Sequence, residues 1–388
     1  MILYHGSNIA VTEPQIIVSN RALDFGAGFY TTSSEEQAIR WAKLQALRRG
    51  KGIPTVSAYE FDDAKASVLS VLRFPSAEGE WLRYVTDNRK SVYSGEKYDI
   101  VVLDADLSKS TKTDTFKKKF PDRFFNTGIA EANMMSTAAG LATCGKIVFA
   151  SSFAMFAAGR AFEQVRNSIC YPNLNVKIGA THAGISVGED GATHQCLEDI
   201  GLMRTIPNMV IINPADKAES ILAVEAAIKH NGPVYLRFGR LAVPEIFDRE
   251  TYNFEIGKGV EIAKGSDVSI IATGLMVPTA LEAAETLKKE GISARVINMA
   301  TIKPIDSDII IKAAKETGAI VTAEEHNIIG GLGSAVAEVL CENFPVPMKR
   351  VGTKDVFGQS GKPAELFEIY GLTAENIVKN VKDVLKMK

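Results

Sequence analysis

Polar and titratable residues gather where short apolar stretches end. Asp104 and Asp106 follow IVVLD in LDADLSKST, and Glu131 opens a run of small residues in GIAEANM. His182 follows NVKIGA in THAGISVGEDGATHQ, a Gly-rich loop that also carries Glu189, Asp190 and His194. Arg240 follows PVYLRF in FGRLAVP. Two of the chain's five histidines therefore share one loop with two carboxylates. Such a set offers proton donors and acceptors near neutral pH, with a guanidinium suited to an anion. Each residue also has a plainer reading. A Glu in a first helical turn is favoured by the helix dipole, and a lone loop His is more often solvated or hydrogen-bonded than catalytic. Their clustering on a loop between rigid elements is what points to an enzyme site.

The elements that must hold these residues alternate. From Ile100 the strand candidates are IVVLD (100–104), KIVFA (146–150), NVKIGA (175–180), NMVII (208–212) and PVYLRF (233–238). Between them lie the helical patterns EANMMSTAAGLATC, FAMFAAGRAFEQVRNSI and ADKAESILAVEAAIKH. Continuous apolar strands separated by helices predict a parallel sheet covered on both faces, with ligands at the carboxyl ends of its strands. A polar connector, PEIFDRETYNFEIGKG, leads to a second series: VSIIAT (268–273), ARVINM (294–299), AIVTAE (319–324) and PMKRVG (347–352). Its helices include VPTALEAAETLKKEG, stopped by Gly291, and TAENIVKNVKDVLK. The connector is expected to be open to proteases, releasing residues 257–388 as a resistant domain. Ahead of residue 99, SSEEQAIRWAKLQALRRG reads as an amphipathic helix running from a Ser cap to Gly50, and the polar stretch DNRKSVYSGEK closes that block.

With 388 residues the chain can hold two or three domains. Its net charge of −2 advertises neither a nucleic acid nor an anionic membrane as partner. The start MILYHGSNIA lacks the basic and apolar regions of a signal peptide, so the cytoplasm is the expected address. Cys144, Cys170, Cys196 and Cys341 form no CxxC pair, which fits reduced thiols better than a disulfide frame or a zinc site.

GIAEANMMSTAAGLA, SSFAMFAAGRAFEQVRNSICYPNL, THAGISVGEDGATHQCLEDIGLMRTIPN and YLRFGRLAVP resemble the C-terminal halves of transketolases, over a stretch from about Asp99 to Lys388. The resemblance implies a pyrimidine-binding α/β domain over 99–245 and a transketolase C-terminal domain over 257–388, each with a parallel or mixed sheet. It further implies thiamine diphosphate as cofactor and transfer of a two-carbon ketol unit between sugar phosphates, as in the pentose phosphate pathway. Glu131 matches the glutamate that hydrogen-bonds the pyrimidine N1′, and Phe153 and Phe156 match its aromatic wall, although Gly159 stands at a third aromatic position. From periodicity alone, two Phe at this spacing would more often be core. Asp106 matches a residue beside the cofactor. His182, Asp190 and His194 match contacts to sugar hydroxyls, with His182 and His194 in the catalytic set; Ser110 and Arg240 match contacts to the sugar phosphate. The family's diphosphate-binding domain, with its GDG…N motif for Mg2+ or Ca2+, has no counterpart here. A partner subunit supplying it is implied, in a hetero-oligomer built of such pairs. The helix and the phosphate-binding Arg that precede the first strand in the family are also missing, and losing that helix would uncover an apolar face.

LYHGS and DFGAGFYTTSSEEQAIRWA, with SAEGEWLRYVTDNRKSVYSGEKYDIVV, resemble a small bacterial α+β domain of unknown function related to ADP-ribosyltransferases. That resemblance covers residues 1–98 and implies NAD contacts from His5, Gly6 and Tyr30. Three readings follow: a transketolase subunit with an N-terminal appendage, an NAD-binding module with a transketolase passenger, and a non-catalytic chimera joined at a strand common to both families.

Overall fold

The helix expected between Ser34 and Gly50 forms at Glu35–Arg49. The Ser34 side chain accepts from the Gln37 N–H, and Gly50 closes the last turn in the left-handed region at φ 62°. The computed structural model describes residues 2–13, 31–60 and 99–388. Tyr30, the stretch DNRKSVYSGEK and the question of a helix before Ile100 lie outside them. Met1–Asp99 and Ile100–Lys388 are two units. In the first, β1 (Ile2–Ser7) pairs antiparallel with β2 (Thr55–Glu60), His5 opposite Ser57. The helix sits directly on β1: a Cβ on Gly6 would lie 2.1 Å from the Ala38 carbonyl oxygen. Ala38 and Ala42, one turn apart, are both buried and keep the helix that close.

The second unit holds two sheets. Seven strands in the order β12-β7-β8-β6-β5-β3-β4 make the first. Their ranges are β3 Ile100–Asp104, β4 Phe124–Asn126, β5 Ile147–Phe153, β6 Val176–Thr181, β7 Val210–Ile212, β8 Val234–Arg237 and β12 Thr301–Lys303. All pairs are parallel except β12 with β7. The second sheet runs β14-β13-β10-β11-β9, with β9 (Val260–Ala263) antiparallel at its edge. Its parallel strands are β10 Val268–Ala272, β11 Ala294–Asn298, β13 Ile320–Asn327 and β14 Met348–Thr353. The nine strand candidates from Ile100 onward all form. The three-residue β4 and β12 and the four-residue β9 carry no apolar run of their own.

On one face of the first sheet, Leu103, Val148, Ile178 and Tyr235 pack with Met134, Met135 and Ala138 of helix Glu131–Thr143. On the other, Ile212, Val234 and Leu236 meet Ala223 and Ala227 of helix Lys217–Lys229. That helix starts where Asp216 accepts from the Glu219 N–H. Lys177, inside β6, is tolerated because its ammonium donates to the carbonyls of His230 and Gly232 at 2.8 and 2.6 Å. Burial pushes it down to about 7. No helix among the described residues is long and apolar enough to cross a membrane.

One expectation needs correction. The stretch FAMFAAGRAFEQVRNSI is not one regular helix: Met155–Arg160 and Val165–Cys170 take wider π turns, with a break at Ala161. Such turns recur at functional sites. The connector after residue 245 is tied to both sheets. Asp216 Oδ2 accepts the Ile246 and Phe247 N–H groups at 2.6 and 2.8 Å, and Phe247 stacks on Tyr252 at 4.0 Å. Tyr252 donates to the buried Glu219 at 2.6 Å, which also takes the Asn298 side chain from β11 at 2.7 Å. β12 then crosses into the first sheet, where Lys303 donates to the carbonyls of Arg204 and Ile206. A strand is a poor place to divide a fold, because separation would bare the edge of β7. Limited proteolysis of the native chain is therefore expected to leave residues 246–253 intact. Recovery of a resistant fragment beginning near Gly257, resolved from residues 100–246 by gel filtration, would contradict the shared strand.

Candidate functional site

β8, β6, β5 and β3 are neighbours in the first sheet, so their carboxyl ends gather Arg240, His182, Phe153 and Asp104 from adjacent strands. Asp104 is fully buried and organises a turn. Its carboxylate accepts from the Leu107 N–H at 2.6 Å and from the hydroxyls of Thr111 and Thr113 at 2.7 and 2.9 Å. Lys112, between those threonines, is held at φ 65°. Asp106, also at φ 65°, accepts from the Asn126 side chain at 2.9 Å and so ties the end of β3 to β4. Ser110 is exposed in the short helix Ser108–Thr111.

Glu131 is the first residue of its helix and only 1% exposed. An isolated carboxylate at that depth would be costly, and Arg160 answers it with an Nη1–Oε2 contact of 2.9 Å. The Arg160 guanidinium lies 4.5 Å from the centre of the Phe156 ring. The π turn Met155–Arg160 thus holds a cation between its own aromatic ring and the buried carboxylate. Phe153 stacks on Phe156 with centroids 6.2 Å apart. Where the third aromatic was expected, the position of a Gly159 Cβ lies 2.3 Å from the methyl carbon of Met155.

The imidazoles close the other side. His182 stacks on Phe153 at 4.0 Å, with its Nδ1 3.1 Å from the Thr181 hydroxyl. His194 meets the Phe156 ring edge-on at 5.3 Å, with its Nδ1 2.9 Å from the Thr193 hydroxyl. His182 has φ 55°, an uncommon conformation for a residue with a Cβ and one that persists only where its surroundings impose it. Burial, followed by the nearby Arg240 cation, holds the His182 imidazole below its ordinary range; Asp190 acts in the opposite sense and Lys112 adds to the lowering. Arg240 donates to the Val187 carbonyl and to the Glu189 carboxylate, the latter at 3.2 Å. Asp190 is exposed beside it.

The structure thus brings Phe153, Phe156, His182 and His194 into one cluster, joined to Glu131 through Arg160, with Asp190 on the bordering loop and Arg240 bonded to it. Asp106 and Ser110 stand on the turn after β3. Sequence reasoning missed Arg160 and Lys112. Arg160 could have been found as the residue four beyond Phe156, Lys112 as the cation between two threonines that cap on Asp104. An open cleft of about 730 Å³ borders the cluster between Phe156, Arg160, Thr193, Glu198, Asn327 and Phe357. In the first unit, His5 and Gly6 lie on β1, where Gly6 is needed for the approach of the helix; Tyr30 lies outside the described residues.

An aromatic wall, a buried acid and paired imidazoles at the carboxyl ends of a parallel sheet agree with what the chain matches. The family model described as the transketolase pyrimidine-binding domain fits residues 91–245, and that of the transketolase C-terminal domain fits residues 257–377. A Methanocaldococcus jannaschii chain described as a transketolase C-terminal section is 56% identical over 295 residues, covering 75% of this chain and 92% of that one. The 6-deoxy-6-sulfo-D-fructose transketolase subunit SqwH of Clostridium sp. (strain MSTE9) is 44% identical, covering 80% and 96%. A solved structure titled a split gene transketolase, inactive beta4 tetramer, matches with 58% identity and a TM-score of 0.70, over 75% of this chain and 93% of that one. The chain belongs to the transketolase family. Its N-terminal region also matches a protein family of unknown function, DUF3990, over residues 1–127, so two family models claim residues 91–127.

The charges around His182 can be read by titration. Because Arg240 lowers and Asp190 raises the His182 midpoint, Arg240→Gln is expected to move it up and Asp190→Asn to move it down. Both shifts are measurable from the pH dependence of the imidazole NMR signal. Movement of the two variants in the same direction would show that these charges do not face the ring.

Proposed function

We propose that this chain is the pyrimidine-binding subunit of a split transketolase, moving a two-carbon ketol unit between sugar phosphates with thiamine diphosphate. The observation that carries the reading is Glu131: a carboxylate 1% exposed, at a helix N-terminus, joined through Arg160 to the Phe153–Phe156 pair against which two imidazoles pack. An aminopyrimidine has the flat face and the ring nitrogens that such a cradle fits. When bound, thiamine diphosphate supplies the electron sink and carbon nucleophile that amino-acid side chains lack.

The protein's part is orientation and proton placement. Glu131 holds a proton at the pyrimidine N1′, and Arg160 keeps that buried carboxyl partnered through Oε2. His182, kept largely neutral near pH 7 by burial and by Arg240, can both donate and accept toward sugar hydroxyls, with His194 and Asp190 beside it. Arg240 and Ser110 take the sugar phosphate, which competes with Glu189 for the guanidinium. The diphosphate and its divalent cation fall to a partner subunit. Support comes from relatives named as subunits or sections of transketolases, of which this chain covers nine tenths or more. A cytoplasmic setting fits the four free thiols.

Two outcomes are expected. The purified chain alone shows no thiamine-dependent ketol transfer, and activity appears on adding a diphosphate-domain partner. In that complex, Glu131→Gln lowers kcat by about 10²-fold or more with an unchanged melting temperature, in line with loss of a general acid–base group. Turnover of the variant near wild type at saturating cofactor would remove Glu131 from this role.

A further inference from the structure

The loop from His182 to His194 carries three residues read above as substrate contacts, yet little in its own sequence fixes its shape. His182, Gly184, Gly188 and Gly191 all have positive φ, at 55°, 86°, 81° and 74°. Glycines lose the most conformational freedom on folding, so a loop with this many needs an external template. The template comes from the other sheet. Glu325, on β13, is 3% exposed, and its Oε1 accepts the Ser186 N–H at 2.6 Å across 139 residues of sequence. A Cβ on Gly184 would fall 2.2 Å from the Glu325 carboxyl carbon and 2.4 and 2.5 Å from its oxygens. The carboxyl group thus fills the space a side chain at 184 would need, and a strained φ at that position lets the backbone pass over it.

Glu325 is itself held. Its carbonyl oxygen accepts from Arg237 Nη2 at 3.0 Å, and Arg237 Nε pairs with Asp199 at 2.9 Å. Two residues on, the Asn327 N–H donates to the Leu197 carbonyl at 2.7 Å, just beyond the loop's far end. We propose that Glu325 is a positioning residue that sets the placement of His182, Asp190 and His194 from beneath the loop. This makes Glu325 of β13 part of the site's framework, acting through the loop above it. The functional consequence rests on the substrate-contact reading above; the positioning itself does not.

The test uses the full chain with isotope-labelled histidine, of which there are five to resolve. His182 stacks on Phe153 at 4.0 Å, so its NMR signal carries a ring-current shift that reports placement. Glu325→Ala is expected to abolish that shift and to speed amide exchange across residues 184–191 by about tenfold or more, as for a lost buried acceptor. The His230 signal should stay in place. Glu325→Gln keeps an acceptor of the same size, and burial already pushes Glu325 up to about 7, so the neutral amide is a close mimic and should restore both readouts. Gly184→Ala, which drives a methyl group into the carboxyl, should reproduce the Glu325→Ala pattern. Wild-type His182 shift and exchange in Glu325→Ala would overturn the proposal. Should that variant fail to fold, an unmoved His182 in Gly184→Ala would do the same. Kinetics in the partner complex separate the two readings. A raised KM for sugar with the NMR change supports both; an unchanged KM with the NMR change leaves the positioning standing and removes the loop from substrate binding.

Discussion

Arg237 has almost no access to water, and the arrangement of residues 100–388 follows from where its donors go. A buried guanidinium costs several kcal/mol unless each N–H finds an acceptor. Arg237 directs Nε to Asp199, at the start of helix Asp199–Arg204, and Nη2 to the backbone of β13 in the second sheet. Tyr235 donates to the same Asp199 oxygen at 2.9 Å. Burial raises Asp199, but Arg237 and then His326 more than offset this and hold it below the usual carboxylate range. Glu324 and Glu325 follow on β13, both pushed up to about 7 by burial. Glu324 turns toward the N–H groups of Leu332 and Gly333, Glu325 toward Ser186. Neighbouring carboxyls on one strand thus serve opposite directions, one starting the helix Leu332–Asn343 and the other shaping a loop of the first sheet.

The strands were legible because a parallel sheet buried on both faces needs near-continuous apolar runs, and β3, β6, β8, β10 and β13 supply them. β12 was not, since Thr-Ile-Lys gains its identity only from the edge it joins. The π turns were not legible either: Phe153, Phe156 and Arg160 suit an ordinary helix by spacing, and nothing in composition marks the wider turn. The cap at Ser34 could be read because a side chain within three residues satisfies an otherwise orphaned N–H.

For the site the same division holds. Glu131, His182 and His194 stood out by residue type and by their place after strands. Arg160 did not, because its role exists only through a partner 29 residues away in sequence. Glu325 was hidden more deeply, at the polar end of a strand of the second series and 139 residues from its contact. Asp104 was noticed with Asp106 as a pair, yet its three acceptor bonds make it the scaffold of the turn that presents Lys112. Proximity in sequence to a strand end marks where chemistry can be mounted; which polar residue does the mounting is decided by burial.

The crossing of β12 into the first sheet also bears on how the chain is made. A ribosome releases β7 some ninety residues before β12, and until then Val210–Ile212 is an open parallel edge of three apolar residues. Long-range pairing of this kind slows folding, and an unpaired edge on a nascent chain invites pairing with a neighbour. The antiparallel cap supplied by Thr301–Lys303 closes that edge only after β9, β10 and β11 have emerged, so the sheet that holds the site is finished from within its neighbour. The interval between those two events leaves the β7 edge open on the growing chain.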